Sequence, residues 1–164
     1  MKSNGQKRPG PKKLIDKMAV FEPNNNRFKE LIKKQFAAQN IMQTTGMMLD
    51  SVEPGRVEIS LPFDDKLTQH HGFHHAAITT MGMDNACGFA ALSLMAENEE
   101  VLTVEFKTNF LRPASAKGFL FTGQVLKPGK SLYFCEGKAF GLDRDQQTLI
   151  ATMSATMMAV QNAG

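Results

Sequence analysis

From Asn26 to about Gln43 the apolar residues Phe28, Leu31, Ile32, Phe36 and Ile41 recur at helical spacing, with lysines and glutamines between them. Residues three and four apart share one face of a helix, so the stretch 26–43 predicts an amphipathic helix resting on whatever follows. Asn25 or Asn26 is placed to cap it. The period then drops to two. Val57, Ile59 and Leu61 alternate with Glu58 and Ser60 just after a Glu53-Pro54-Gly55 turn, and Gly46 to Ser51 supplies the hairpin partner. A further strand is predicted where Leu102, Val104 and Phe106 alternate with Thr103, Glu105 and Lys107, and another runs through Phe119, Phe121 and Val125. After the turn Lys127-Pro128-Gly129-Lys130, Leu132, Phe134 and Phe140 continue the sheet. After Asp143-Arg144-Asp145, a last strand carries Leu149, Ala151 and Met153 towards Met157 and Val160.

Between the hairpin and these strands lies a segment of another kind, 75–96. It is rich in Ala and Met and apolar nearly all round, with Ile78, Met81, Met83, Ala86, Phe89 and Leu92 spread over every face. A helix of that composition has to be buried. One buried central helix followed by antiparallel strands predicts an α+β fold, an antiparallel sheet wrapped around the helix, with an extra N-terminal helix in front.

Composition adds limits. A chain of 164 residues with 42% hydrophobic and 21% charged residues suits one globular domain. The net charge of +3 owes much to Lys2, Lys7, Arg8, Lys12 and Lys13. These sit among Gly5, Pro9, Gly10 and Pro11, so residues 1–13 read as a solvated, disordered basic arm and 14–164 as the domain. That balance gives no reason to expect a nucleic-acid partner. Cys87 and Cys135 have no metal-ligand spacing and read as reduced, buried thiols. No apolar run approaches the roughly 20 residues of a membrane span, and no signal-peptide core follows the basic start. The expectation is a cytoplasmic protein without a membrane partner.

All four histidines fall in Gln69-His70-His71-Gly72-Phe73-His74-His75. Three readings compete. Spacings of four would put His70 with His74, and His71 with His75, on one helical face as metal ligands. Gly72 inside the cluster and the missing HExxH pattern oppose that, so no metal is expected. A second reading has these polar residues cap the buried helix. The third is catalytic and depends on Asp84, which interrupts the most apolar helix of the chain. Burying an unpaired carboxylate costs several kcal/mol or raises its pKa. Either Asp84 is the N-cap of a helix that starts only at Asn85, or it is a functional acid.

Gln69-x-x-Gly72-x-x-His75-Ala76-Ala77, with Asp84 nine residues after the histidine, resembles the signature of hotdog-fold thioesterases of the phenylacetate-degradation (PaaI) type. The likeness continues through Ala86-x-Gly88-x-Ala90-Ala91 and through Thr103 to Ala114, which includes Phe110-Leu111-Arg112-Pro113. It runs from about Gly46 to Val160. Ala76-Ala77 replaces the family's Gly-Gly; alanine keeps the backbone N–H, while its Cβ takes space that glycine leaves open.

The resemblance implies a hotdog fold and hydrolysis of an acyl-CoA thioester to free acid and coenzyme A. No cofactor is implied, since coenzyme A is part of the substrate. In the implied roles, Asp84 is general base or nucleophile, and the Ala76 N–H polarises the thioester carbonyl. Gln69 orients nucleophile or substrate, His75 holds the loop, and Thr103 stands near the attacking water. Gly72 and Ala77 border the substrate, and Arg112, Lys130 and Ser131 are candidates for the coenzyme A phosphates.

Helical geometry adds a condition. Nine residues advance about 13.5 Å and turn about 900°, which sets Asp84 opposite His75 if one straight helix carries both. A two-fold homodimer, possibly paired into a tetramer, brings Asp84 of one chain to the helix start of the other. Two rivals remain. Hotdog dehydratases carry a His-Phe-Pro-Gly pattern that is missing here. A non-catalytic module binding acyl-CoA or fatty acid would be expected to lose the acid, and Asp84 is present. The acyl group is left open.

Overall fold

The computed structural model describes residues 21–144 and 146–162. The expected basic arm lies outside the described residues. Helices α1 (Phe28–Ala38) and α2 (Asn40–Thr45) lead into strands β1 (Met48–Glu53) and β2 (Arg56–Pro62), then the long helix α3 (Ala76–Leu92). Strands β3 (Glu99–Phe110), β4 (Gly118–Pro128), β5 (Leu132–Asp143) and β6 (Gln146–Gln161) complete one antiparallel sheet in the order β1-β2-β4-β5-β6-β3. The predicted α+β architecture is therefore the observed one.

The single N-terminal helix expected over 26–43 is two helices. Gln39 adopts φ −77° and ψ 109°, an extended conformation that breaks the run. The break resets the helical phase, so that Met42 is buried (2% exposed) and Ile41 is not (43%). Neither asparagine occupies the N-cap position, which falls to Arg27. Asn25 instead closes a local turn, its Oδ1 accepting the Arg27 N–H at 2.8 Å. The stripe Phe28, Ile32 and Phe36 still faces inward, and Phe36 meets the Phe89 ring of α3 with centroids 5.9 Å apart.

Helix α3 lies directly on the sheet because the strands beneath it carry glycine where a side chain cannot fit. A Cβ on Gly123 of β4 would stand 2.1 Å from the Ala86 carbonyl carbon, inside any tolerable contact. Around this approach Val57, Ile59, Phe119, Phe121, Met83, Met153 and Met157 form the core, each 0–1% exposed. Cys87 and Cys135 are free and buried, and burial pushes the Cys135 thiol up to about 12. At the far end of α3, Ser93 Oγ donates to the Ala90 carbonyl and accepts the Gly55 N–H at 2.7 Å, tying the β1–β2 turn to the helix terminus.

Two expectations about burial are corrected. Helix α3 is not buried on every side: Met81, Asp84, Asn85 and Gly88, spaced i, i+3, i+4, i+7, form a half-exposed stripe towards β3. Strand β3 in turn contributes no buried residue, and its alternation is not continuous. A bulge between Thr103 and Glu105 takes up Val104, after which Phe106 pairs with Ala155, Thr108 with Met153 and Phe110 with Ala151. Residues directly opposite share a face. Phe106, Thr108 and Phe110 therefore lie on the inner side with Thr103, while Leu102 lies outside, opposite Met158. In β5 it is likewise Tyr133, Cys135 and Ala139 that enter the core, with Leu132 and Phe134 outside at 40% and 48% exposed.

Candidate active site

The histidine segment is a tight turn, not a helix, so the i, i+4 pairs His70/His74 and His71/His75 do not share a helical face. Gly72 N–H donates to the Gln69 carbonyl, Gln69 N–H donates to the Phe73 carbonyl at 2.8 Å, and Gly72 sits at φ 82°, a conformation open to glycine. The Gln69 side-chain oxygen accepts the His71 N–H, which leaves its NH2 group for other partners. The four histidines then diverge. The rings of His70 and His71 lie together on the surface, His74 turns into the core, and His75 caps α3. Among the described residues no group of three metal-ligating side chains converges.

His75 fixes the start of the helix. With φ −66° and ψ 135° it is the N-cap, and its Nδ1 accepts the Ala77 N–H at 3.0 Å. The proton of the neutral ring therefore resides on Nε2. Its carbonyl takes the N–H groups of Ile78 and Thr79. A helix begins with four N–H groups lacking intrahelical partners. Here they belong to His75, Ala76, Ala77 and Ile78; that of His75 donates to the Leu67 carbonyl at 2.8 Å, and those of Ala77 and Ile78 are spent on His75. Among the described residues the Ala76 N–H alone of the four stays unpaired, at the positive end of the helix dipole.

Ala76 borders a cavity of about 420 Å3 lined also by Gln69, Phe73, His74, Thr79 and the segment from Phe110 to Ala114, with Ile150 of β6. Its walls are largely apolar. His74 is 3% exposed, its ring stacked on Phe119 with centroids 4.3 Å apart, and burial lowers its pKa to about 4. The imidazole is therefore neutral. Its Nδ1 lies 3.4 Å from Thr79 Oγ1, and its Nε2 has no partner among the described residues. An unpaired buried polar atom of this kind costs about 1–3 kcal/mol. His74, Phe73, Thr79, Phe110 and Ile150 were not singled out from sequence; the faint signals were His74 inside the cluster and Phe110 beside the chosen Arg112.

Asp84 stands in the third turn of α3, so it is not an N-cap. Burial raises its carboxyl above the ordinary carboxylate range, and the Thr103 hydroxyl, donating to Asp84 Oδ1 at 2.9 Å, counteracts part of that rise. Eight residues of helix separate it from Ala76, about 12 Å along the axis. Within one chain the acid and the free N–H do not meet.

The remaining candidates divide. Arg112 borders the cavity, with Nη1 donating to the Leu149 carbonyl at 2.8 Å. The Ala77 N–H is consumed by the cap. Lys130 and Ser131 sit at the other end of the sheet, where the Ser131 carbonyl accepts the Ala159 N–H. Ile150 lines the cavity, and nine residues of extended strand between it and Ala159 span about 30 Å. A single chain does not bring Lys130 or Ser131 to the site.

A six-stranded antiparallel sheet curled over one long helix, with a polar turn feeding the helix start, is the hotdog architecture, and comparison with known proteins bears this out. Residues 71–147 match the Thioesterase superfamily model. A thioesterase family protein from Silicibacter pomeroyi is 46% identical in sequence, superposes with a TM-score of 0.80, and aligns over 82% of this chain and 98% of its own. The PaaI protein of Escherichia coli shares the fold at 15% identity, with a TM-score of 0.74 over 85% of this chain and 97% of its own. The 1,4-dihydroxy-2-naphthoyl-CoA hydrolase of Listeria monocytogenes is 26% identical over 98 residues, 60% of this chain and 80% of that protein. The chain belongs to the thioesterase superfamily and is a hotdog-fold enzyme of that group. No helix among the described residues is long and apolar enough to cross a membrane.

Proposed function

We propose that the enzyme hydrolyses acyl-CoA thioesters at two equivalent sites, each assembled from two copies of the chain. The observation that carries this reading is the Ala76 N–H. Of the first-turn donors it alone is unspent among the described residues, and Ala76 borders an apolar cavity of about 420 Å3. A thioester oxygen placed there gains a fixed donor and the helix dipole as negative charge develops, an arrangement commonly worth about 10²–10³ in rate. The acyl group then occupies the cavity, and the Gln69 NH2 is free to orient substrate or water.

The base comes from the second copy. Strand β3 is an edge of twelve residues, and its inner side carries Phe106 and Phe110 at 43% and 52% exposed. A long edge strand with bare aromatic residues invites pairing. Antiparallel pairing of two β3 strands about a two-fold axis sets the Thr103 end of one chain against the Phe110 end of the other. That brings Asp84 and Thr103 of the second copy towards the cavity bordered by Ala76. The same pairing carries the β4–β5 turn, with Lys130 and Ser131, towards the cavity mouth, where coenzyme A phosphates would lie beside Arg112. The Listeria relative, named as a CoA hydrolase, supports CoA thioesters as the substrate class.

Asp84, held polar by Thr103 yet raised by burial, suits proton abstraction from water or direct attack on the carbonyl. Thiol release from a panel of short, long and aromatic acyl-CoAs tests the reading. Wild type should release coenzyme A from at least one, and Asp84→Asn should lose at least about a hundredfold in kcat. Full activity in Asp84→Asn would remove the assigned mechanism. Binding of acyl-CoA without thiol release would mark a non-catalytic module.

A further inference from the structure

Strand β3 carries opposite charges two places apart on its outer side. Glu105 lies opposite Thr156 of β6 and Lys107 opposite Ser154, while Phe106 between them points inward. Both charged residues are exposed, and neither has an ion-pair partner among the described residues. Glu105 is already held in place, its Oε1 accepting the Thr156 hydroxyl at 2.5 Å. Such an edge is self-complementary: against an antiparallel copy of itself, each charge can stand opposite the other.

We infer that Glu105 and Lys107 set the register in which two copies of the chain pair, Glu105 of each copy facing the partner's Lys107, with Phe106 on the two-fold axis. The inference rests on the two-chain site proposed above. An axis normal to the sheet keeps the inner sides of both chains together, and residues directly opposite share a face. The axis therefore passes through a residue and not between two. Placed on Lys107 it would oppose two lysines, and placed on Glu105 two glutamates; like charges directly opposite are destabilising. Nearer the Glu99 end, the bulge at Val104 breaks the ladder. Placed on Thr108 it would set Lys107 against Asn109 and leave most of the strand unpaired. With Phe106 on the axis both Glu–Lys pairs form, and the two phenyl rings meet on the inner side. Beyond the bulge, Thr103 then stands opposite the partner's Thr108, both inward, close to Phe110 at the cavity.

The register decides where the acid arrives. A slip of two residues slides the partner's Asp84 about 7 Å along the strand, past the cavity it has to serve. Glu105 and Lys107 are thus positioning residues, acting on the reaction through the place they give Asp84.

Disulfide trapping reads the register without reference to activity. Residues directly opposite have Cα atoms about 4.5–5.5 Å apart, within disulfide reach. In the inferred register Glu105 lies about 8 Å from the partner's Glu105, beyond that reach, and Lys107 likewise from the partner's Lys107. A mixture of Glu105→Cys and Lys107→Cys chains, exchanged and then oxidised, should give a disulfide-linked dimer, and neither variant alone should. The native Cys87 and Cys135 are buried, and wild type is the blank. Activity supplies the second readout, on whichever acyl-CoA wild type hydrolyses best. Glu105→Lys and Lys107→Glu should each lower kcat/KM by about tenfold or more, since small misplacements are costly in rate. The double reversal, which restores both pairs, should return to within about threefold of wild type.

A disulfide in either cysteine variant alone, none in the exchanged mixture, or a double reversal no more active than the single ones overturns this register. If Asp84→Asn nevertheless loses its hundredfold, the hydrolase reading stands without it. The expected disulfide beside a fully active Asp84→Asn would uphold the register and remove the assigned mechanism.

Discussion

Thr103 on the edge strand donates a 2.9 Å hydrogen bond to Asp84 in the third turn of the central helix. It joins the one acid of α3 to the edge strand β3. The bond also sets the acid's working range. Burial raises the Asp84 pKa, and this hydroxyl works against the rise. If the ionised carboxylate is the active form, activity climbs as pH rises through the Asp84 pKa. Thr103→Val removes a bond that favours the charged form, so the acidic limb of kcat/KM should move to higher pH, with a smaller loss at the plateau. A pH–rate profile of the two proteins checks this; an unmoved limb would detach Asp84 from the rate.

Proline at position 76 isolates the oxyanion donor. Position 76 is the first helical residue, where proline is tolerated, and His75 already holds the extended conformation that a following proline demands. Ala76→Pro should melt close to wild type while losing about 10²–10³ in kcat. Mixing Ala76→Pro with Asp84→Asn chains tests the shared site. Half of randomly formed dimers pair one chain of each kind, and each such dimer has one intact site, so about a quarter of wild-type activity should return on subunit exchange. No recovery in an exchanging mixture would place both groups in one chain.

His74 should leave a mark on stability. Its folded pKa is about 4, against 6.5 for the ordinary side chain. The unfolded chain therefore takes up more protons between those values, and the stability associated with neutral His74 is complete above pH 6.5 and lost as pH falls towards 4. The loss should reach up to about 3 kcal/mol. His74→Phe should flatten that part of the profile, measured as the difference between urea midpoints of the two proteins at pH 7, 6, 5 and 4.5.

Gly123→Ala should destabilise by at least about 2–3 kcal/mol, since the new methyl group would meet helix backbone and not a movable side chain. Gly88 is the control on the other side of the helix. A Cβ there meets only Val101 Cγ1, at 4.0 Å, so Gly88→Ala should be neutral or mildly stabilising.

Local pattern was enough for the elements and for the fold. Strand period, turn residues and an apolar helix depend on neighbours a few positions away, so Val57, Ile59 and Leu61 were placed in the core correctly, and Asp84 stood out as an acid in the wrong surroundings. Where local pattern misled, a non-local contact had decided. Val104 became a bulge because β3 must keep register with β6, and this moved Phe106 to the inner face. Gln39 broke the first helix, and Met42 took the core position that periodicity assigned to Ile41. The histidines separated into a surface pair, a core ring and a cap, a division that four identical side chains in one short run cannot reveal.

The segment from Gln69 to Asp84 was legible as the place where chemistry resides. Only the folded chain showed that His75 consumes the Ala77 N–H and leaves that of Ala76, that His74 carries an unmatched nitrogen, and that Lys130 and Ser131 lie a sheet-length away. Sequence determines which groups are present and the local geometry they prefer. Which hydrogen bonds are already spent, and which are left over for a substrate, is decided by contacts between distant residues.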